Sequence, residues 1–250
     1  MTLNTSIQED LKIPGQCWQL LIGVNGYSKT HGDGLATQAA SGRKFEILEP
    51  LIEVEQDQNQ TQRIRVRLLE DGYPCWLDSS DLLGNIKPCD PCRPPFLTEQ
   101  EIEQRRPEVL SWIENVAQQT NTYLWGGTLG PNFDCSGLVQ SAFAHSGIWL
   151  PRDAYQQEKF CMPLTIEPND TGSLLKGDLI FFGTPDRCTH VGLHCGDGRY
   201  WHSSGVKHGR NGIGCDGLDL ADKHPVATHY RSELRGAGRV TRCHDGSTLP

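Results

Sequence analysis

Apolar residues follow two different rhythms along this chain. From Gln16 to Pro88 they come in short runs: Trp18 to Val24, Lys44 to Leu48, Ile64 to Leu69 and Cys75 to Leu77. Turn-forming residues separate them, namely Gly23, Asn25-Gly26, Gly32-Asp33-Gly34, Asp71-Gly72 and Pro74. Arg63-Ile64-Arg65-Val66-Arg67-Leu68 alternates polar and apolar, the period of a strand with one buried face. Short strands joined by tight turns predict a small β-barrel over residues 1–88. Lys87 to Pro95 then packs four prolines and two cysteines together, so residues 89–97 read as a linker.

Beyond the linker the period changes. Thr98 with Glu99 and Glu101 marks a helix start, acids suiting the positive end of the helix dipole. Pro107 to Gln119 predicts a second helix, with Val109, Leu110, Ile113, Val116 and Ala117 on one face. After the flexible Tyr123-Leu124-Trp125-Gly126-Gly127, a third helix is expected over Asp134 to Ser146 and ended by Gly147. Strands are expected at Asp178–Gly183, His190–Cys195, Arg199–Ser203 and Ala237–Thr241. Helices followed by an antiparallel sheet give an α+β domain over residues 98–250, so two domains in all.

Charge narrows the function. The 250 residues carry 23 Lys and Arg against 31 Asp and Glu, a net −8. A nucleic-acid binder or an anionic-membrane binder would use a basic patch, so neither partner is expected. There is no run of eighteen apolar residues, and Met1 to Pro14 lacks the basic start and apolar centre of a secretory signal. A cytoplasmic location follows as the expectation. The ten cysteines are then expected to be reduced, and Cys89-Asp90-Pro91-Cys92 is a lone CxxC pair with no second pair to complete a zinc ribbon. No metal and no cofactor is called for.

The chemistry concentrates in two places. Cys135 sits in the first turn of a predicted helix, where unpaired amides and the dipole favour a thiolate over a thiol. Buried cysteine is also a common packing residue, and this local signal alone leaves the two readings level. The candidate base is in His190-Val191-Gly192-Leu193-His194-Cys195, which faces Arg199-Tyr200-Trp201-His202 across Gly196-Asp197-Gly198. A three-residue loop there sets His202 opposite Gly192, making His190 and His202 diagonal neighbours on one face, roughly 7–8 Å apart. Val191, Leu193, Cys195 and Trp201 would form an apolar layer on the other face. A two-residue loop would put His202 opposite Leu193 and away from His190. The expectation is the three-residue loop, with His194 left open as an alternative partner. Cys135 as nucleophile, His190 as base and His202 orienting the base follow the logic of an activated thiol.

These residues resemble the NlpC/P60 family of cell-wall cysteine peptidases, which have a reduced papain-like fold. The likeness lies in Tyr123-Leu124-Trp125-Gly126-Gly127, Asp134-Cys135-Ser136-Gly137-Leu138, Leu150-Pro151-Arg152, Gly177 to Phe182, His190-Val191-Gly192 and His202-Ser203, across about residues 100 to 240. It implies Cys135, His190 and His202 as the catalytic residues, with the Tyr123 hydroxyl lining the oxyanion site. It also implies that Asp134 and Ser136 help hold the free amino end of a substrate, although Asp134 equally suits a helix N-cap. Arg152 is left without a role. Leu35 to Ala39, Asp71 to Leu77 and Tyr230 to Val240 look like cyanobacterial members with an N-terminal bacterial SH3-type domain. Those relatives are γ-D-glutamyl-L-diamino-acid endopeptidases, and Tyr73 matches a tyrosine that reaches their pocket. Departures from that pattern are Cys75, the insertion around Gln56 to Gln62 and the cysteine pair of the linker. The resemblance implies an enzyme that trims murein tri- or tetrapeptides bearing a free N-terminal L-Ala, a recycling role; a monomer is expected, although the sequence does not fix the oligomeric state. An amidase or other thiol acyl-transferase on the same scaffold, a wall-binding protein acting through its SH3-type domain, and zinc held by Cys135, His190 and His202 are the competing readings.

Overall fold

In the computed structural model, residues 11–50 and 62–248 are described, so the opening residues and most of the Gln56 to Gln62 insertion lie outside the described residues. The chain divides into two compact units, one running to Pro94 and taking in the residues from Asp245 onward, the other Pro95–His244. The residues 89–94 expected in a linker, and the tail expected in the second domain, thus cluster with the first unit.

Among its described residues the first unit is one antiparallel sheet of seven strands: β1 (Cys17–Leu20), β2 (Val24–Tyr27), β3 (Leu35–Ala39), β4 (Lys44–Glu49), β5 (Arg63–Leu68), β6 (Pro74–Asp78) and β7 (Ile86–Pro88), with a single helical turn α1 (Ser79–Leu82). The Arg63–Leu68 alternation behaves as its pattern requires. Ile64, Val66 and Leu68 are fully buried, in one core with Trp18, Phe45 and Leu77, while the arginines face outward. Cross-strand carboxylates meet those arginines, Glu49 binding Arg65 and Glu46 binding Arg67.

The second unit layers helices on a six-stranded antiparallel sheet. Its elements are α2 (Glu99–Ala117), α3 (Cys135–His145), α4 (Ala154–Phe160), β8 (Met162–Leu164), β9 (Leu179–Gly183), β10 (Cys188–Gly196), β11 (Arg199–Ser204), β12 (Gly212–Gly217), α5 (Pro225–Ser232) and β13 (Leu234–Arg239). The strand order is β12-β11-β10-β9-β13-β8. Where two helices were expected between residues 98 and 119, there is one. Thr98 and Glu101 close a capping box at its start, and the chain runs helically through Pro107. The proline forfeits one backbone bond, but Ile102, Val109, Ile113 and Val116 make a continuous buried stripe that holds the helix together.

Period-two alternation splits the sheet's two faces. Leu179 and Phe181 of β9, Val191 and Leu193 of β10 and Trp201 of β11 pack toward the helices α2, α3 and α4. Ile180, Phe182 and Tyr200 pack on the other face, with Val226 and Tyr230 of α5. The apolar layer expected of Val191, Leu193 and Trp201 is therefore present, and Cys195 is only half-buried beside it.

The β10–β11 hairpin differs from its expected turn yet keeps the expected register. Gly196 pairs with Arg199, so the loop is the two residues Asp197-Gly198, both with positive φ (51° and 65°). That pairing alone would have carried His202 away from His190. A bulge at Cys195 restores the register, because His194 pairs with Tyr200 and Leu193 with Trp201. The extra residue lies in the strand rather than in the loop.

Candidate active site

The position of Cys135, the expected nucleophile, is fixed by the start of α3. Asp134 is its N-cap, and its carboxylate accepts the Gly137 amide at 2.6 Å. The same carboxylate accepts the Gly126 amide at 2.9 Å and so ties the helix start to the Tyr123–Gly127 turn. Gly137 must lack a side chain: a Cβ there would lie 2.0 Å from the backbone oxygen of Gly127. Asp-Cys-Ser-Gly is therefore a packing motif as well as a chemical one.

Arg152, unassigned from sequence, completes the anchor. It is 1 % exposed and donates to both Asp134 oxygens at 3.2 and 2.7 Å and to Ser136 Oγ at 3.0 Å. Asp134 and Ser136, expected to meet substrate, are both buried and engaged with this guanidinium. The N-cap role of Asp134 is directly visible.

Cys135 is buried, and the amides of Val191 and Ser136 donate toward its sulfur. Burial nevertheless pushes the thiol up to about 12, with Asp134 adding to the rise and the two amides and Arg152 opposing it. Burial thus opposes the thiolate that the helix start was expected to favour.

His190 and His202 meet as expected, His190 Nε2 lying 2.8 Å from His202 Nδ1. His194 is excluded as the partner: its Nδ1 is 2.9 Å from the Leu175 carbonyl. Burial pushes His190 well below the ordinary imidazole range, helped by the positive potential of His202, His208 and His229. His202 is also lowered by burial, against the pull of Asp216. With its Nε2 taken, His190 has Nδ1 left for a thiol proton.

Two residues of this assembly were not foreseen as site residues. Asp216 Oδ2 lies 2.7 Å from His202 Nε2, extending the chain by one member. Tyr230 stacks on His190 with ring centroids 3.9 Å apart and planes at 19°, while its hydroxyl bonds Ser204 Oγ at 2.9 Å. Its phenol is pushed up mainly by burial, with Cys135 adding to the rise. Tyr230→Ala should lower kcat about 10–100-fold by freeing the base to rotate, whereas Tyr230→Phe, which keeps the stacking face, should stay within a few-fold. Steady-state kinetics of the two variants check this.

Tyr123 is half-buried, and burial pushes its phenol up, with Cys135 and Asp134 adding to the rise. Tyr73 lies in the first unit, where it packs against that unit's core and its amide donates to Asp71. Among the described residues no cluster of three or more His, Cys, Asp or Glu is arranged to hold a metal ion. Among those residues no helix is long and apolar enough to cross a membrane.

Comparison with known proteins gives two family matches. Residues 120–230 match the NlpC/P60 family, and residues 27–82 match the bacterial dipeptidyl-peptidase Sh3 domain. The chain is 40% identical over 101 residues to the bifunctional muramidase/DL-endopeptidase CwlT of Bacillus subtilis (strain 168), covering 38% of this chain and 29% of that protein. It is 39% identical over 84 residues to the gamma-D-glutamyl-L-lysine dipeptidyl-peptidase of the same organism, covering 32% and 27%. It is 35% identical over 146 residues to dipeptidyl-peptidase 6 of Lysinibacillus sphaericus, covering 56% and 45%. The chain spans less than half the length of each of these relatives.

Proposed function

We propose that this chain, which carries an NlpC/P60 domain behind a bacterial dipeptidyl-peptidase SH3 domain, is a cysteine peptidase of peptidoglycan peptides. The observation that carries the reading is the ordered set Cys135, His190 and His202. A buried thiol faces the Val191 amide, and the neighbouring His190 is held by His202 at 2.8 Å. His190 Nδ1 takes the thiol proton as sulfur attacks the peptide carbonyl carbon. The proton then passes to the departing amine as the C–N bond breaks, leaving a thioester on Cys135. Water, losing its proton to His190, hydrolyses the thioester and restores the thiol. The Tyr123 hydroxyl is the side-chain donor proposed for the oxyanion.

The finer reading is cleavage between D-Glu and the following diamino acid in peptides with a free N-terminal L-Ala. It is supported by the similarity to gamma-D-glutamyl-L-lysine dipeptidyl-peptidase. Such a requirement suits recycling of released wall peptides, because in intact wall that amine is acylated. In this reading Asp134 and Ser136 shape the amine end of the pocket. The buried Asp134 does so through Arg152 and the helix start rather than as an open carboxylate.

The test is mass spectrometry of L-Ala-γ-D-Glu-meso-diaminopimelate and its N-acetylated copy after incubation with the wild type, Cys135→Ala serving as the blank. Release of L-Ala-D-Glu from the free-amine peptide alone is the expected result. Equal cutting of the acetylated peptide would remove the amine requirement and the recycling role. No cleavage of either would shift the weight to an amidase or a wall-binding protein.

A further inference from the structure

Asp216 and Arg210 form a buried arrangement that the three catalytic residues do not by themselves require. Asp216 is 2 % exposed on β12, where β11 pairs with it residue for residue: Tyr200 faces Asp216 and His202 faces Gly214. Arg210 Nη2 donates to both Asp216 oxygens at 2.6 and 2.8 Å, and His224 Nδ1 lies 3.5 Å from Oδ1. The guanidinium gets there by crossing Gly214, where an added Cβ would lie 2.3–2.4 Å from its atoms. Burial alone would raise the Asp216 carboxyl, yet His202 and Arg210 hold it below the usual range, so it is a carboxylate.

A carboxylate can only accept hydrogen bonds. The 2.7 Å contact therefore puts the His202 proton on Nε2. A neutral His202 then has only a lone pair at Nδ1, so the 2.8 Å contact needs the proton of His190 on Nε2. That leaves the lone pair of His190 at Nδ1. A doubly protonated His202 would reverse the second contact, put the His190 proton on Nδ1 and disable the base. We propose that Asp216, held by Arg210 across Gly214, is a positioning residue that sets the tautomers of both histidines and so leaves His190 Nδ1 free to take the Cys135 proton. The proposal rests on the peptidase reading for its catalytic consequence, but the tautomers themselves are a property of the resting protein.

The experiment is two-bond 1H–15N NMR on full-length protein labelled at histidine nitrogen, together with kinetics on the peptide that the wild type cleaves. The wild type should show Nε2-protonated, neutral rings at His190 and His202. A different tautomer at either ring would overturn the proposal without need of any variant. Asp216→Asn, which keeps the shape but can donate, should shift the tautomers and lower kcat about 10–100-fold with KM little changed. Unchanged tautomers, or an unchanged kcat, would overturn it. Gly214→Ala, which displaces Arg210 and leaves Asp216 in place, should lower kcat about 10-fold, and no change would remove Arg210 from the assembly. If the wild type cleaves no peptide while its spectrum shows the expected rings, the peptidase reading fails and the tautomer assignment stands.

Discussion

Replacing His190 with alanine should lower kcat/KM by about four orders of magnitude, leaving only the assistance of the remaining site groups. The expected loss is large because the resting thiol cannot supply its own thiolate. Burial holds Cys135 at about 12, so at neutral pH the proton must be taken during attack. The pH profile carries a second signature. His190 is pushed below the ordinary imidazole value, so it stays an unprotonated base into acid where a solvent-exposed histidine would be spent. The acid limb of kcat/KM should therefore lie below about pH 6.5, with a plateau above it through pH 8. A rate that instead climbs tenfold per unit from pH 6 to 8 would show that free thiolate, not the neutral pair, is the reacting form. Stability has to be followed in parallel. The folded-state values of His190 and His202 are lowered, so the unfolded chain binds protons that the native chain refuses. The stabilisation is thus complete above the unfolded value near 6.5 and declines as the pH falls below it. Thermal melts across the same pH range separate loss of base from loss of fold.

The parts of this site that the sequence disclosed are those whose chemistry is local. Cys135 at a helix start, and His190 with His202 on alternating strands, could be placed from residue type and period, while the choice of Cys135 over a packing role and of His202 over His194 rested on the family resemblance. The hairpin shows how a correct placement can rest on an incorrect turn. Asp197-Gly198 is a strong signal for a two-residue loop with two positive φ values, but by itself it gives the wrong face for His202. Only the bulge at Cys195 reconciles the two, and nothing in the local pattern announces it. Asp216 was hidden for a different reason. Its strand, Gly212–Gly217, has glycine at three of six positions and no apolar alternation, so it exists because β11 pairs with it along its whole length. Tyr230 and Arg152 lie far along the chain from the residues they serve, and only tertiary packing brings them to His190 and Asp134. The single helix through Pro107 is likewise a tertiary result, since a continuous buried stripe outweighed a local breaker.

Arg152→Ala should destabilise the second unit by about 3–5 kcal/mol, a fall in melting temperature on the order of 10 °C. The pair it breaks is almost fully enclosed, with Arg152 at 1 % and Asp134 at 7 % exposure. Removing the cation leaves a buried carboxylate held by the Gly126 and Gly137 amides and the Ser136 hydroxyl. Those are the same groups that hold the first turn of α3 and therefore Cys135. Activity should fall together with stability, because a loosened Asp134 no longer ties the Gly126 turn to the nucleophile's helix. The double variant Arg152→Met with Asp134→Asn discriminates a charge effect from simple loss of packing. Once the orphaned charge is gone, the double variant should be less destabilised than the sum of Arg152→Met and Asp134→Asn, by a coupling of about 1–3 kcal/mol. Strict additivity in denaturant melts, or an Arg152→Ala variant within 1 kcal/mol of wild type, would show that the ion pair does not hold the helix start. In that case the Asp134 cap and the close approach of Gly137 to Gly127 would be sufficient to place the thiol.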